Sequence, residues 1–211
     1  MPLMAETSTR EYGPSTGKEI KQELFMTSVQ LIKVEPMTKE SFEPFGQLLD
    51  SADRPGDRRI ISPVEFTAEG KTTLGVIWQP FESLEFKDME RHFGVTQTFI
   101  QLSGSPAVVA VAPLTDPSEH DSVPRPEQVR AFLIDPARGF VLRKGTWHSL
   151  NRYILSPPGA TFVILNSSPN PTQMVDYANS VGSIYSDLGS DDSPDKTDYE
   201  NRFGVTFKLT L

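Results

Sequence analysis

Short apolar segments separated by polar turns run along most of the chain. They are rich in Val, Ile, Thr and Phe, as strands are, and they span 29–34, 72–78, 96–102, 107–112, 129–134, 140–142, 160–165 and 203–209. Pro and Gly occupy nearly every gap, and no apolar pattern is long enough for the helix of a parallel crossover. The pattern therefore predicts an all-β domain, an antiparallel sandwich or barrel with a few short helices.

Two segments interrupt this pattern. Residues 38–46 begin with Thr38 as a helix N-cap and carry Ser41 where a capping box has Glu, and Pro44 and Gly46 follow, so we predict one short helix here. Residues 186–198 combine acidic residues, Ser and Gly without apolar anchors. This composition predicts an exposed loop before the last strand.

The first part of the chain differs in composition from the rest. Residues 1–28 are polar and lack the apolar stretch of a signal peptide, so we predict an N-terminal extension followed by one domain over 29–211. Nowhere does an apolar run approach the roughly 20 residues that a membrane-spanning helix needs. The sequence gives no indication of membrane insertion.

The charge and composition restrict the possible partners. The 211 residues carry a net charge of −8, whereas nucleic acids and anionic membranes are bound by clustered Lys and Arg. Cys is absent, which excludes disulfides, thiolate metal sites and a Cys nucleophile. We predict a cytoplasmic protein that binds a small molecule, without nucleic-acid or membrane partners.

Two stretches some fifty residues apart carry the candidate chemistry, and they contain two of the three histidines in the chain. Glu90 and His92 are two apart, so on a strand both side chains point to the same face. Gln97 follows them, and His148 lies in the second stretch, where a facing strand can complete the cluster. We predict a small-molecule site at Glu90, His92, Gln97 and His148.

The spacing Glu90-x-His92-x4-Gln97-x6-Gly104, followed by Gly145-x2-His148, resembles the two motifs of cupins. In that family His-x-His, a Glu and a later His hold a divalent metal inside a jelly-roll barrel. By this resemblance His92 and His148 match two ligands, while Glu90 and Gln97 replace a His and a Glu. The resemblance implies a cupin-like jelly-roll β-barrel that binds a divalent metal through these four residues. The donors suit nickel, manganese, iron or zinc, and no organic cofactor is expected.

A more specific resemblance covers residues 31–165. The blocks that carry it are 38–46, 90–92 with 96–100, 108–112, 129–132 and 145–148, in this order. Together they resemble the ureidoglycolate lyase family, whose members split (S)-ureidoglycolate into glyoxylate and urea in purine (allantoin) breakdown. The resemblance implies this carbon–nitrogen lyase activity, and it also implies a homodimer.

The reaction needs a general base, a general acid and a cation for the carboxylate. Glu90, His92 and His148 are the candidate catalytic residues. The candidate substrate-binding residues are Gln97, Arg143, Lys144 and Trp147. Arg91 is a further candidate cation, but it points away from Glu90 and His92 on a regular strand. Its position favours a surface ion pair.

Two departures from the family pattern leave other functions open. Members carry an Asn-Asn-Gly stretch early in the domain, where this chain has Asp57-Arg58-Arg59 and Glu69-Gly70, and Ser149-Leu150-Asn151 follows His148. One alternative is a cupin-fold enzyme of different specificity, such as an isomerase, decarboxylase or hydrolase. Another is a non-catalytic barrel that binds a small acid.

Overall fold

The computed structural model describes residues 27–50, 56, 63–119, 121–187, 195–198 and 203–211. Strands make up nearly all of the regular secondary structure of these residues, which confirms the all-β prediction. The strands are β1 Ser28–Pro36, β2 Gly46–Leu49, β3 Lys71–Pro80, β4 Glu85–Phe86, β5 Asp88–His92, β6 Thr98–Gly104, β7 Ala107–Ala112, β8 Arg130–Ile134, β9 Gly139–Leu142, β10 Trp147–Ser149, β11 Tyr153–Ile154, β12 Gly159–Ser168, β13 Asn170–Asp176, β14 Val181–Asp187, β15 Asp195–Asp198 and β16 Val205–Thr210.

The described strands form two sheets. The larger sheet has the order β15-β14-β13-β5-β10-β7-β8-β1-β16-β4, with β11 also paired to β7, and the smaller has the order β2-β9-β6-β12-β3. Most neighbours are antiparallel, whereas β1 runs parallel to both β8 and β16. The sheets pack face to face, as in the predicted jelly roll.

The predicted helix is present as α1, Lys39–Phe42. Ser41 takes the place of the usual Glu in the capping box. The Ser41 amide donates to Thr38 Oγ1 at 3.1 Å, and the Thr38 amide donates to Ser41 Oγ at 3.0 Å. A 3-10 turn at Pro126–Gln128 is the other helical element of the described residues. Phe42 at the end of α1 is fully buried between the sheets.

Both faces of the larger sheet contribute to a hydrophobic core. Along β7 the side chains alternate: Ala107, Val109 and Val111 join a core between the two sheets, whereas Val108, Ala110 and Ala112 join a second core. The second core draws on β1, β4, β5, β10, β13 and β16, so the larger sheet curls around it. We call these the inter-sheet core and the outer core.

The exposed loop predicted over 186–198 is wrong at both ends. Residues 186 and 187 belong to β14, and 195–198 form β15, which pairs antiparallel with β14. Backbone hydrogen bonds form these strands without the apolar anchors on which the prediction relied. All but the last two residues of the predicted extension over 1–28 lie outside the described residues.

No helix among the described residues is both long and apolar enough to span a membrane.

Candidate active site

Glu90, His92 and His148 meet on one face of the larger sheet. Strand β10 pairs antiparallel with β5 so that His148 lies opposite Glu90, and on its other side His148 lies opposite Val111 of β7. Residues directly opposite each other share a face, and Val111 belongs to the inter-sheet core. The three polar side chains therefore point into the space between the two sheets.

A tight turn aligns the two motifs. Gly145 adopts φ +80°, a conformation that residues with a Cβ rarely take, and the Thr146 amide closes the turn on Arg143 O at 3.0 Å. The Gly145 amide also donates to His92 O at 2.9 Å. The glycine therefore ties the strand that carries His148 to the end of the strand that carries His92.

The cluster is compact. The centroids of the two imidazole rings are 5.1 Å apart. Glu90 Oε1 lies 3.8 Å from His92 Nε2 and 3.9 Å from His148 Nδ1. The carboxylate thus faces both imidazoles, and one ligand atom from each of the three residues lies within 4.8 Å of the others. Such a group can hold a cation or move a proton.

Neighbours occupy both nitrogens of His92. Nδ1 lies 2.8 Å from Thr172 Oγ1 and 2.9 Å from Asn170 Nδ2, and Nε2 lies 3.1 Å from Gln97 Nε2. Thr172 lies directly opposite His92 on β13, so the sheet register itself supplies this contact. His92 is therefore held in a fixed orientation.

His148 differs because one of its nitrogens is open. Nδ1 lies 3.0 Å from the Ser149 carbonyl oxygen, which can only accept, so Nδ1 carries the proton and Nε2 presents a lone pair. This Nε2 is buried and has no hydrogen-bond partner among the described residues. A buried acceptor without a donor is costly, so this atom is suited to receive a proton or bind a cation.

Gln97 supplies a second open acceptor. Its amide nitrogen contacts His92, whereas its Oε1 is buried and, within the described part of the chain, unpartnered. An imidazole nitrogen and an amide oxygen, next to the Glu90 carboxylate, form a donor set that suits a divalent metal. The residues at the cupin-like positions therefore fit a metal ion.

Burial keeps both imidazoles neutral near pH 7. Desolvation lowers the pKa of His148 to about 4, against the raising effect of the bond to Ser149 and with a further lowering by the charge of Arg152. Desolvation, together with the charges of His148 and Arg152, lowers the pKa of His92 well below its usual value. Both side chains are therefore unprotonated acceptors at neutral pH, and only His148 has an open nitrogen within the described residues.

Arg152 is a part of the site that sequence reasoning missed. It follows β10, its side chain is buried, and its guanidinium lies 4.2 Å from the ring centroid of Phe99 in the inter-sheet core. Nε donates to Gln79 Oε1 at 2.9 Å, and the Arg152 amide donates to the same oxygen at 2.7 Å. The signal in the sequence was an Arg directly before the apolar run Tyr153-Ile154-Leu155.

A cleft of about 670 Å³ opens beside Arg152. Gln79, Asn151 and Arg152 contribute to its wall, and Asp88 of β5 lines it too. Glu90, His92 and His148 do not line it, although the Glu90 side chain keeps 14% of its surface exposed. Arg152 therefore lines the cleft, and its charge is near enough to affect the pKa of both histidines.

Two predicted residues lie on the other face of the sheet. Trp147 is fully buried in the outer core, where its indole Nε1 donates to Thr115 Oγ1 at 3.0 Å. It is not brought to the cluster because neighbours along a strand alternate in direction. Arg91 points the same way, as expected, but the predicted surface ion pair is wrong: Arg91 is fully buried, with its guanidinium 4.8 Å from the centroid of Trp147.

Arg143 and Lys144 lie on the surface rather than in the cluster. Arg143 donates to Glu43 Oε1 at 2.6 Å, and Lys144 pairs with Glu69. Each basic side chain is 40% exposed. Both residues follow β9 and belong to the turn that the Thr146 amide closes on Arg143 O.

Comparison of the sequence with known proteins gives a consistent result. The family model described as ureidoglycolate lyase matches residues 29–180. A ureidoglycolate lyase of Pseudomonas aeruginosa (strain LESB58) is 35% identical over 133 residues, which cover 57% of this chain and 75% of that protein. A ureidoglycolate lyase of Rhodobacter capsulatus is 30% identical over 143 residues, covering 63% and 82%. Among solved structures, RmlC from Streptococcus suis in complex with dTDP-D-xylose aligns with a TM-score of 0.32 at 12% identity, over 66% of this chain and 61% of that one.

Proposed function

This chain belongs to the ureidoglycolate lyase family, and we propose that it cleaves (S)-ureidoglycolate into glyoxylate and urea. The observation that carries the proposal is the cluster of Glu90, His92 and His148, in which a buried imidazole nitrogen has no partner in the described chain. Family membership favours this reaction over an isomerase, a decarboxylase, a hydrolase or a non-catalytic barrel. The proposed setting is purine (allantoin) breakdown in the cytoplasm.

His148 is the proposed proton carrier. Its Nε2 accepts the proton of the substrate hydroxyl, the O–H electron pair forms the new carbonyl, and the C–N bond breaks. The same Nε2 then returns the proton to the departing urea nitrogen, so one residue serves as base and as acid. Glu90, whose carboxylate lies 3.9 Å from His148 Nδ1, stabilises the imidazolium formed between the two transfers.

His92 and Gln97 have proposed positioning and binding roles. His92 is held by Thr172, Asn170 and Gln97, so it forms a fixed wall of the site. Gln97 Oε1, the other open acceptor, is suited to receive a hydrogen bond from the urea group. We expect these two residues to orient the substrate while His148 transfers the proton.

A divalent metal is the cofactor that the donor set fits. Glu90, His92, Gln97 and His148 would hold it, and it would supply a Lewis acid that polarises the hydroxyl or the carboxylate. With the ion bound, the lone pair of His148 Nε2 would coordinate the metal, so His148 carries the proton only in the metal-free mechanism described above. Gln97→Glu adds a carboxylate oxygen at this position, so we expect roughly tenfold tighter binding of Mn²⁺ or Ni²⁺ in calorimetry. Unchanged affinity would place the ion elsewhere.

The test of the function is direct. Purified protein supplied with (S)-ureidoglycolate should release glyoxylate and urea in equal amounts, measured with and without added divalent metal. The assay follows both products, because release of ammonia in place of urea would indicate a hydrolase. Folded protein that produces neither product under both conditions would contradict the proposal.

A homodimer is the proposed assembly, with a second copy bound to the smaller sheet. Strand β3 is an edge of this sheet, and Leu74, Val76 and Trp78 are exposed along its outer face. An apolar edge strand is a surface that pairs with another copy. Val76→Glu should convert a dimer into a monomer in light scattering, whereas Leu114→Glu, on an exposed apolar residue outside this sheet, should not.

A further inference from the structure

Arg152 is a buried cation with unusually few partners. Its Nε donates to Gln79 Oε1, whereas its two terminal nitrogens donate no hydrogen bond to any residue in the described part of the chain. None of the described carboxylates lies within the 4 Å of an ion pair with it. Buried arginines are normally paired, because an isolated charge is costly to remove from water. These two terminal nitrogens have the planar geometry that binds both oxygens of a carboxylate.

The neighbours of Arg152 fix the orientation of its guanidinium. Gln79 is held in turn, since its Nε2 donates to Asn151 Oδ1 at 3.0 Å. The Phe99 ring lies 4.2 Å from the guanidinium carbon, so the cation is supported on one side by an aromatic face. Gln79 and Phe99 come from the smaller sheet, and together they hold the guanidinium at the wall of the cleft.

Arg152 is also electrically coupled to the catalytic cluster. The charge of Arg152 contributes to the low pKa of both His92 and His148, and the charge of Glu90 raises the pKa of Arg152. Burial nevertheless lowers the pKa of Arg152 to about 10, which leaves it charged at neutral pH. An anion bound here would offset the burial of the cation and act electrostatically on the same two histidines.

We propose that Arg152 binds the substrate carboxylate through its two terminal nitrogens and so positions the hydroxyl-bearing carbon toward His148. This inference rests on the proposed function and names its specificity-determining residue. A small 2-hydroxy acid enters through the cleft that Arg152 lines, and its charge selects it over neutral amides of the same shape. Arg143 and Lys144, whose charges are already paired on the surface, do not perform this role.

The first measurement compares two ligands that differ only in charge. Glycolate carries the hydroxyl and carboxylate of the substrate, and glycolamide has the same shape without the charge. Wild-type protein should bind glycolate at least about 30-fold more tightly than glycolamide in calorimetry, as for a buried charge-assisted pair. Equal affinity for the two ligands, or no binding of glycolate, would overturn the proposal even without variants.

Arg152→Gln removes the charge and keeps a similar length. It should lower glycolate affinity about 30-fold or more and leave glycolamide affinity within about twofold, and Arg152→Lys should retain part of the preference because it keeps the charge without the planar pair of terminal nitrogens. Arg138→Gln, at an exposed arginine paired with Asp135 and Asp50, is the matched control. Equal loss of both ligands in Arg152→Gln would indicate a merely structural role and would contradict the inference.

Turnover separates this proposal from the proposed function. With ureidoglycolate, Arg152→Gln should raise KM by at least as large a factor as it weakens glycolate, because the carboxylate is bound in the ground state as well as the transition state. If wild-type protein binds glycolate selectively but does not turn over ureidoglycolate, the carboxylate site stands and the lyase function fails. If turnover occurs and Arg152→Gln leaves KM unchanged, the lyase function stands and Arg152 is excluded.

Discussion

The two faces of the larger sheet each bury an arginine, and the two arginines differ in how completely they are bonded. On the outer face, Arg91 donates to Gln173, to the carbonyl and hydroxyl of Thr115 and to Asp116 O, and it packs between Phe93 and Trp147. On the inner face, Arg152 donates one side-chain hydrogen bond in the described structure, to Gln79.

The same contrast holds for the residues around each arginine. The Trp147 indole nitrogen is hydrogen-bonded in the outer core, whereas His148 Nε2 and Gln97 Oε1 have no partner within the described residues of the inner face. Neighbours in sequence, Trp147 and His148, thus belong to two different environments. Saturated polar groups stabilise the fold, and unsaturated ones on a buried face are available to a ligand.

The largest expected effect comes from the inner face. His148→Ala should lower kcat/KM for ureidoglycolate by about a thousandfold, because the proposed proton carrier is lost, with little change in the melting temperature. Tyr177→Phe, which removes a hydrogen bond to Pro124 O in the outer core, is the control. It should cost about 1 kcal/mol of stability and leave turnover intact. A His148→Ala enzyme of nearly full activity would exclude the mechanism.

Removing Arg91 should lower the stability of the protein, whereas removing Arg152 should affect ligand binding and leave stability nearly unchanged. Arg91→Met should lower the free energy of unfolding by about 3 kcal/mol, because several buried acceptors lose their charged donor. Arg152→Met should change it by less than about 1 kcal/mol or raise it, since an underpaired buried charge is removed. Urea denaturation of the two variants measures both values. If the two variants lost the same free energy of unfolding, the proposed difference in bonding between the two arginines would be contradicted.

Stability should fall in mild acid because of the inner face. The unfolded chain binds a proton to His148 near the ordinary pKa of 6.5, whereas the folded protein does so only near about 4, so unfolding is favoured as the pH falls through this window. For metal-free protein the loss between pH 7 and pH 5 is about 2 kcal/mol, as an order of magnitude. His92, whose pKa is also lowered, contributes in the same direction.

Chemical denaturation of metal-free wild-type and His148→Gln protein at several pH values measures this contribution. The variant lacks the titrating group, so its stability should depend less steeply on pH. Parallel curves for the two proteins would show that His148 does not carry the effect.

The smallest effect is expected at the surface. Arg143→Gln breaks an exposed ion pair with Glu43, and such pairs contribute about 0 to 1 kcal/mol. We expect KM for ureidoglycolate to stay within about twofold of the wild-type value in steady-state assays. A tenfold rise would assign the carboxylate to Arg143, as the sequence suggested, and would weaken the case for Arg152.

Much of the fold and part of the site were predictable because they depend on local alternation. The strand at 107–112 was predicted with the bounds that the structure shows, and the two-residue spacing of Glu90 and His92 correctly placed both on one face. Short strands such as β4 and β11 were missed, since two residues carry no measurable period. The strand at 195–198 was missed because pairing rather than apolar content forms it.

The sequence by itself determined the all-β architecture, the family, and the pair of motifs that hold Glu90, His92, Gln97 and His148. Only the tertiary structure decided which buried polar groups are already bonded: Arg91 lies in a saturated outer core, and Arg152 contacts the inter-sheet core with one side-chain hydrogen bond to the described residues. Hydrogen-bond saturation depends on residues far apart in the chain, such as Gln79 and Arg152, which meet only when the two sheets pack. Alternation along a strand identifies a face, and packing decides what that face contacts.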